Sequence, residues 1–139
     1  MSENLALLVP TFWVGILIGI SFIATPVKFQ AASLTRPVAL DIGRATFRFF
    51  SRIEWLLAAL LFGAEAVAKG VAWRWPLAAI IGAIVLAQAV WLLPALDQRA
   101  AGIISGATLA PSPAHRVYGA LEGLKLLALL VLIAAGFTA

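Results

Sequence analysis

Four residues near the end of the chain, His115, Tyr118, Glu122 and Lys125, have side chains that can bind ions, hold protons or relay them. They are spaced i, i+3, i+7 and i+10, and at 100° per residue they fall within an arc of about 80° on a helix. One helical stripe would therefore carry all four. The segment that holds them, HRVYGALEGLK, runs straight into LLALLVLIAAGF. An ionisable group inside a hydrocarbon layer costs roughly 2.5 to 3.5 kcal/mol on insertion scales, so such groups face a bundle interior, a partner or water. The stripe is expected to look inward. Glu54, Gln88, Ser21 and Thr25 occupy comparable depths in other apolar segments, which makes a shared polar layer available to them.

Two readings of this layer stand side by side. In the first, Glu122 and Lys125, three residues apart, form a structural ion pair that ties a bundle together. In the second, Glu54, Glu122, Lys125, His115, Tyr118 and Gln88 line a cavity that binds a small ion or polar group, or passes protons. Other chemistries lack their residues. There is no cysteine and a single histidine, so thiolate sites are absent and no metal-ligand spacing is present. No nucleophile triad or phosphate-binding loop is visible, no cofactor is implied, and the balance is against an enzyme.

The elements that must position these residues are set by composition. Of 139 residues 63% are hydrophobic and 12% charged, with a mean hydropathy of +1.05. A soluble domain is closer to half apolar and a quarter charged, so an integral membrane protein is expected. Four apolar runs, about 5–27, 49–68, 76–96 and 114–137, each approach the roughly 20 residues needed to cross about 30 Å of hydrocarbon. They are continuously apolar rather than alternating, which selects helices over strands. The expected fold is all-α: one transmembrane domain, residues 1–139, forming a four-helix bundle. The opening MSENLALL lacks the basic region of a signal peptide and is expected to be retained.

Charge orients the bundle. The two connections on one side carry Lys28, Arg36, Arg44, Arg48, Arg52, Arg99 and Arg116, against Lys69 and Arg74 on the other. A positive-inside bias of this size places the first set in the cytoplasm of a cell whose inner membrane the chain crosses, with both termini on the opposite side. The net charge of +4 thus points to anionic lipid headgroups rather than nucleic acid. The first connection contains an amphipathic basic segment, about 37–50, that leads into the second span. Arg44, Arg48 and Arg52 line one of its faces and are expected to contact headgroups, with a phosphate or substrate vestibule as the other reading. The second connection, with Gly102, Gly106, Pro111 and Pro113, is expected to be irregular or a short surface helix, and Ser112–Pro113 to cap the last span.

Displacing the chain against itself by 68 residues superposes Pro26 on Pro94, Arg48 on Arg116, Phe50 on Tyr118 and Glu54 on Glu122. Two tandem helical hairpins related by a pseudo-twofold axis along the membrane normal would produce this. Gly15 and Gly19, like Gly119 and Gly123, form small-xxx-small pairs, read first as close packing and second as self-association.

The segments FWVGILIGISFIATPVKF and ALDIGRATFRFF resemble a family of small four-span membrane proteins of unknown function that includes eukaryotic transmembrane proteins linked to cisplatin resistance. The matching residues are Trp13 and Gly15, Pro26 and Phe29, Gly43 and Phe47, with His115 at the start of the last span. The resemblance implies a four-span topology and no particular reaction. Tyr118, Glu122 and Lys125 depart from that family's pattern. Transport or permeation of a small ion or polar solute is the leading functional expectation. A non-catalytic membrane subunit or assembly factor whose buried charges pair with a helix of another protein is the second, and a small enzyme acting on a lipid or quinone the third; a homo-oligomer or a partner membrane protein is the expected association.

Overall fold

The computed structural model describes residues 2–68 and 72–137, with the side chains of 2–5 outside the description. Lys69, counted above among the basic residues, also lies outside it. Helix α1 combines Ser2–Leu17, a π-helical stretch Ile18–Ala24 and the turn Thr25–Lys28. Helix α2 is Arg36–Ala68. Helix α3 combines Arg74–Ala87, a second π-helical stretch Gln88–Leu92 and Leu93–Ile104, and helix α4 is Ala114–Gly136. Among the described residues there is no strand.

The four rods form a ring in which α1 packs on α2 and α4, and α3 packs on α2 and α4. Three of them are long and apolar enough to cross a membrane: Ala6–Lys28, Arg74–Ile104 and Ala114–Gly136. Helix α2 carries Arg52, Glu54 and Glu65 within 49–68, which lowers its hydropathy, yet both glutamates are buried and paired. The outer surface carries Leu8, Phe12, Leu56, Leu60, Val90 and Leu127, each about half exposed or more. A shell like this is stable where the solvent is itself hydrocarbon.

Proline shapes two of the rods in the same way. Pro26 and Pro94 have no N–H, and each ring would collide with the carbonyl four residues earlier. A π-helical stretch precedes each of them and relieves that collision. The amide of Thr25 donates to the carbonyl of Ile20, and the amide of Leu93 to that of Gln88, each five residues back. The Thr25 hydroxyl also donates to Ile20, at 2.8 Å. The two sites lie 68 residues apart.

Helix α3 runs further than the sequence suggested, through Gly102 to Ile104, so the start of the second connection is neither loop nor separate surface helix. The extension is tied to α2 by charge: Arg44 donates to Asp97 from Nε at 2.8 Å and Nη2 at 3.3 Å, and Arg48 also donates to Asp97. Gly106 ends it. With φ at +91°, Gly106 donates to Ile103 and the next amide, Ala107, to Gly102, the paired bonds of a Schellman cap. At the start of α4 the amide of Ala114 donates to the Ser112 hydroxyl at 3.2 Å, satisfying one free end of the helix.

The glycine pairs do not pack within the chain. A Cβ added at Gly15, Gly19, Gly119 or Gly123 would meet no atom within 4 Å, which corrects the packing reading of both motifs. The core is built instead from larger residues, with Trp13, Leu17, Phe50, Leu61, Ile81, Leu129 and Leu132 fully buried.

Candidate functional site

Lys125 is the centre of the buried polar layer. Its Nζ is fully enclosed, donates to Gln88 Oε1 at 2.8 Å and to Glu54 Oε1, and forms an ion pair with Glu122 Oε1 at 2.6 Å. Gln88, on the π-helical stretch of α3, uses its Nε2 to donate to Glu122 Oε1 at 2.8 Å and to the Tyr118 carbonyl at 3.5 Å. Helix α1 adds two donors: Ser21 donates to Glu122 Oε2 at 2.6 Å, and Trp13 Nε1 donates at 3.2 Å to Glu54 Oε1, the oxygen that also accepts from Lys125. All four helices contribute. Phe50 closes one side, its ring centroid 5.9 Å from Nζ.

The helical arithmetic explains why these residues meet. Glu122 and Lys125 are neighbours on α4, and α2 brings Glu54 across the bundle from the diagonal position. Without those partners each ion would carry the full cost of burial. Of the residues expected in the layer, Glu54, Glu122, Lys125 and Gln88 come together. Tyr118 is buried one turn nearer the basic end, its ring edge-on to Phe47 at 5.4 Å.

His115 does not join them. It is exposed, because the first turn of α4 lies beyond the level at which the four helices close. There the bundle opens into a cleft of about 110 Å³ with walls from all four helices, among them Lys28, Phe47, Leu96, His115 and Tyr118. Glu54, Gln88, Glu122 and Lys125 do not line it. The charged cluster is therefore dry, separated from the cleft by Tyr118. Arg44 and Arg48, expected on headgroups, are engaged with Asp97, whereas Arg52 is exposed.

A second buried pair went unread in the sequence. Arg74 donates to both oxygens of Glu65, at 2.8 and 2.7 Å, and to the carbonyls of Leu132 at 3.1 Å and Ala6 at 3.3 Å. It closes the far end of the bundle. Glu65 lies 11 residues, or about 16 Å, beyond Glu54 on α2. Leu61, Ile81 and Leu129 fill the interior between the two charged levels.

The two levels differ in charge. Glu65 and Arg74 balance, but Glu54 and Glu122 share one ammonium. With every group ionised, the Lys125 cluster would hold one uncompensated negative charge in a dry interior. A buried unpaired charge is among the costliest features a fold can contain.

A family described as "Domain of unknown function (DUF4149)" matches residues 8–103. The match spans most of α1, all of α2 and nearly all of α3, and so includes Trp13, Ser21, Glu54 and Gln88, while Glu122 and Lys125 lie beyond it. No curated protein and no solved structure matches the chain.

Proposed function

The chain belongs to this DUF4149 family, whose description specifies no activity, and from that premise we propose that it is a multi-pass inner-membrane protein whose small ion is the proton. The observation that carries the reading is the unequal pairing of Glu54 and Glu122 with a single Lys125. A solute larger than a proton would need space that the cluster lacks. A proton needs only hydrogen bonds, and Gln88, Ser21 and Trp13 supply them without admitting water.

Access is one-sided in this conformation. Tyr118 has its ring in the wall of the cleft and its carbonyl on Gln88, so a rotation there connects the cleft to the cluster. Toward the far end the leucine-rich layer and the Glu65–Arg74 pair close the path. Loading is from the basic end, which the excess of Lys and Arg assigns to the cytoplasm, with both termini on the other side. The exposed Arg52 faces anionic headgroups there. The matched π-helical stretches before Pro26 and Pro94 favour descent from two tandem hairpins, in which Glu54 and Glu122 are counterparts. The buried charges find their partners inside the chain, and this favours the proton reading over an assembly factor that offers those charges to another protein's helix.

Reconstitution into neutral liposomes containing a pH-sensitive dye tests the reading. An imposed pH difference should collapse faster than in protein-free vesicles, and Glu122→Gln and Glu54→Gln should each remove the increment. Flux equal to protein-free vesicles, or unchanged in both variants, would leave the cluster with a structural role alone.

A further inference from the structure

The cleft at the basic end carries charges that the proton cluster does not use. Arg44 is committed to Asp97 through two bonds, and Arg48 makes a third. Among the described residues Lys28 has no such partner: its contacts are with ring faces, the ammonium lying 5.2 Å from the centroid of Phe29 and 5.9 Å from that of Phe47. Cation–π contacts orient a cation but do not neutralise it. Lys28 is half-buried and lies against the backbone of α2, where a Cβ on Gly43 would fall 2.9 Å from its Nζ. Glycine at that position allows this approach. Below the ammonium the walls are largely apolar, with Phe47, Leu93, Leu96 and Tyr118.

We propose that this cleft binds a short-chain monocarboxylate, its carboxylate on Lys28 and its hydrocarbon body against Phe47, Leu96 and Tyr118. Size and charge select this class. A cavity of about 150 Å³ holds benzene, so about 110 Å³ accommodates a body of roughly four carbons. A phosphate dianion is disfavoured, because its desolvation against apolar walls is costly and the forked guanidiniums that would suit it are occupied by Asp97. A lone lysine ammonium matches one negative charge. The walls come from all four helices, so the site faces along the bundle axis rather than into lipid, and its occupant arrives from the aqueous phase. The cleft and Tyr118 are shared with the proton reading, but the evidence for the carboxylate is separate, since Lys28 is outside the cluster and Glu54, Gln88, Glu122 and Lys125 do not line the cleft.

The test is calorimetric titration of the full chain in nanodiscs of neutral phosphatidylcholine with butyrate, n-butanol, butylammonium and inorganic phosphate as probes. Butyrate should bind once per chain and the other three at least tenfold more weakly. Lys28→Gln should weaken butyrate at least tenfold. Gly43→Ala, which displaces the ammonium by its tip, should weaken it severalfold, with helical content unchanged by circular dichroism. Arg52→Gln, the same loss of charge outside the cleft, should leave binding as it was. Equal binding of butanol and butyrate, tighter binding of phosphate, or equal loss in Arg52→Gln and Lys28→Gln would each overturn the proposal, as would absence of butyrate binding.

Discussion

Replacing Lys125 by methionine keeps the length and apolar stem of the side chain and removes only its charge and its three donors. Glu54, Glu122 and Gln88 then lose their common partner. On the proposed reading the native cluster is neutral with one proton, by count of its charges, and the variant needs two. A free glutamate titrates near 4.3, and holding it protonated at pH 7 costs 1.36 kcal/mol for each unit between, about 3.7 kcal/mol for the added proton. That figure agrees with the roughly 3–5 kcal/mol lost when one partner is removed from a buried ion pair. The sign of the pH dependence follows. At pH 7 the folded variant holds one proton more than the native fold, relative to the same unfolded carboxylates, so its deficit shrinks as the pH falls. By pH 5 the same arithmetic leaves about 1 kcal/mol. Denaturant titration in detergent micelles, followed by circular dichroism at both pH values, measures this difference. In the triple variant Glu54→Gln, Glu122→Gln, Lys125→Met no charge remains, and most of the lost stability should return. A deficit below 1 kcal/mol at pH 7, or one that does not change with pH, would refute the account of the cluster.

The remaining predictions concern the frame. Arg74→Gln leaves Glu65 buried without its cation and the carbonyls of Leu132 and Ala6 without a donor, and should cost about 3–5 kcal/mol in the same titration. Gly106→Ala forces a side chain into a positive-φ position and should cost about 1–2 kcal/mol, with loss of amide protection confined to the end of α3 in hydrogen exchange. The combined Gly15→Ala, Gly19→Ala, Gly119→Ala and Gly123→Ala variant fills open space outside the bundle and should not lower stability, since alanine is the better helix former. A measured loss of more than 1 kcal/mol there would show that these faces are covered.

Much of the frame was legible because membrane insertion leaves a strong pattern. The four apolar runs, the cap at Ser112–Pro113 and the inward stripe of Tyr118, Glu122 and Lys125 follow from length, capping chemistry and the cost of charge in hydrocarbon. The azimuth of each helix was harder to read. In a soluble bundle the apolar stripe marks the core, but a helix apolar all round carries no such mark. For that reason Gly15, Gly19, Gly119 and Gly123 could be assigned to a packed face that they do not occupy. His115 obeys the angular rule yet misses the core, because angle alone does not say where along α4 the bundle closes. The Glu65–Arg74 pair depends on the chain reversal between α2 and α3, a geometry that spacing does not encode. Trp13 read as part of an apolar motif, whereas its indole N–H holds Glu54. A buried tryptophan needs an acceptor, and Glu54 was an available signal for one.

The central claim is the proposed one, that the ion carried by the Glu54 and Glu122 pair is a proton. Infrared spectroscopy of the protein in neutral nanodiscs observes this directly through the carbonyl stretch of a protonated carboxyl, recognised by its shift in D₂O. The account predicts one such group per chain at pH 7 in the native protein and none in Glu54→Gln or in Glu122→Gln, where the remaining carboxylate balances Lys125. A native spectrum without a protonated carboxyl at pH 7, or a band that survives in both variants, would contradict it.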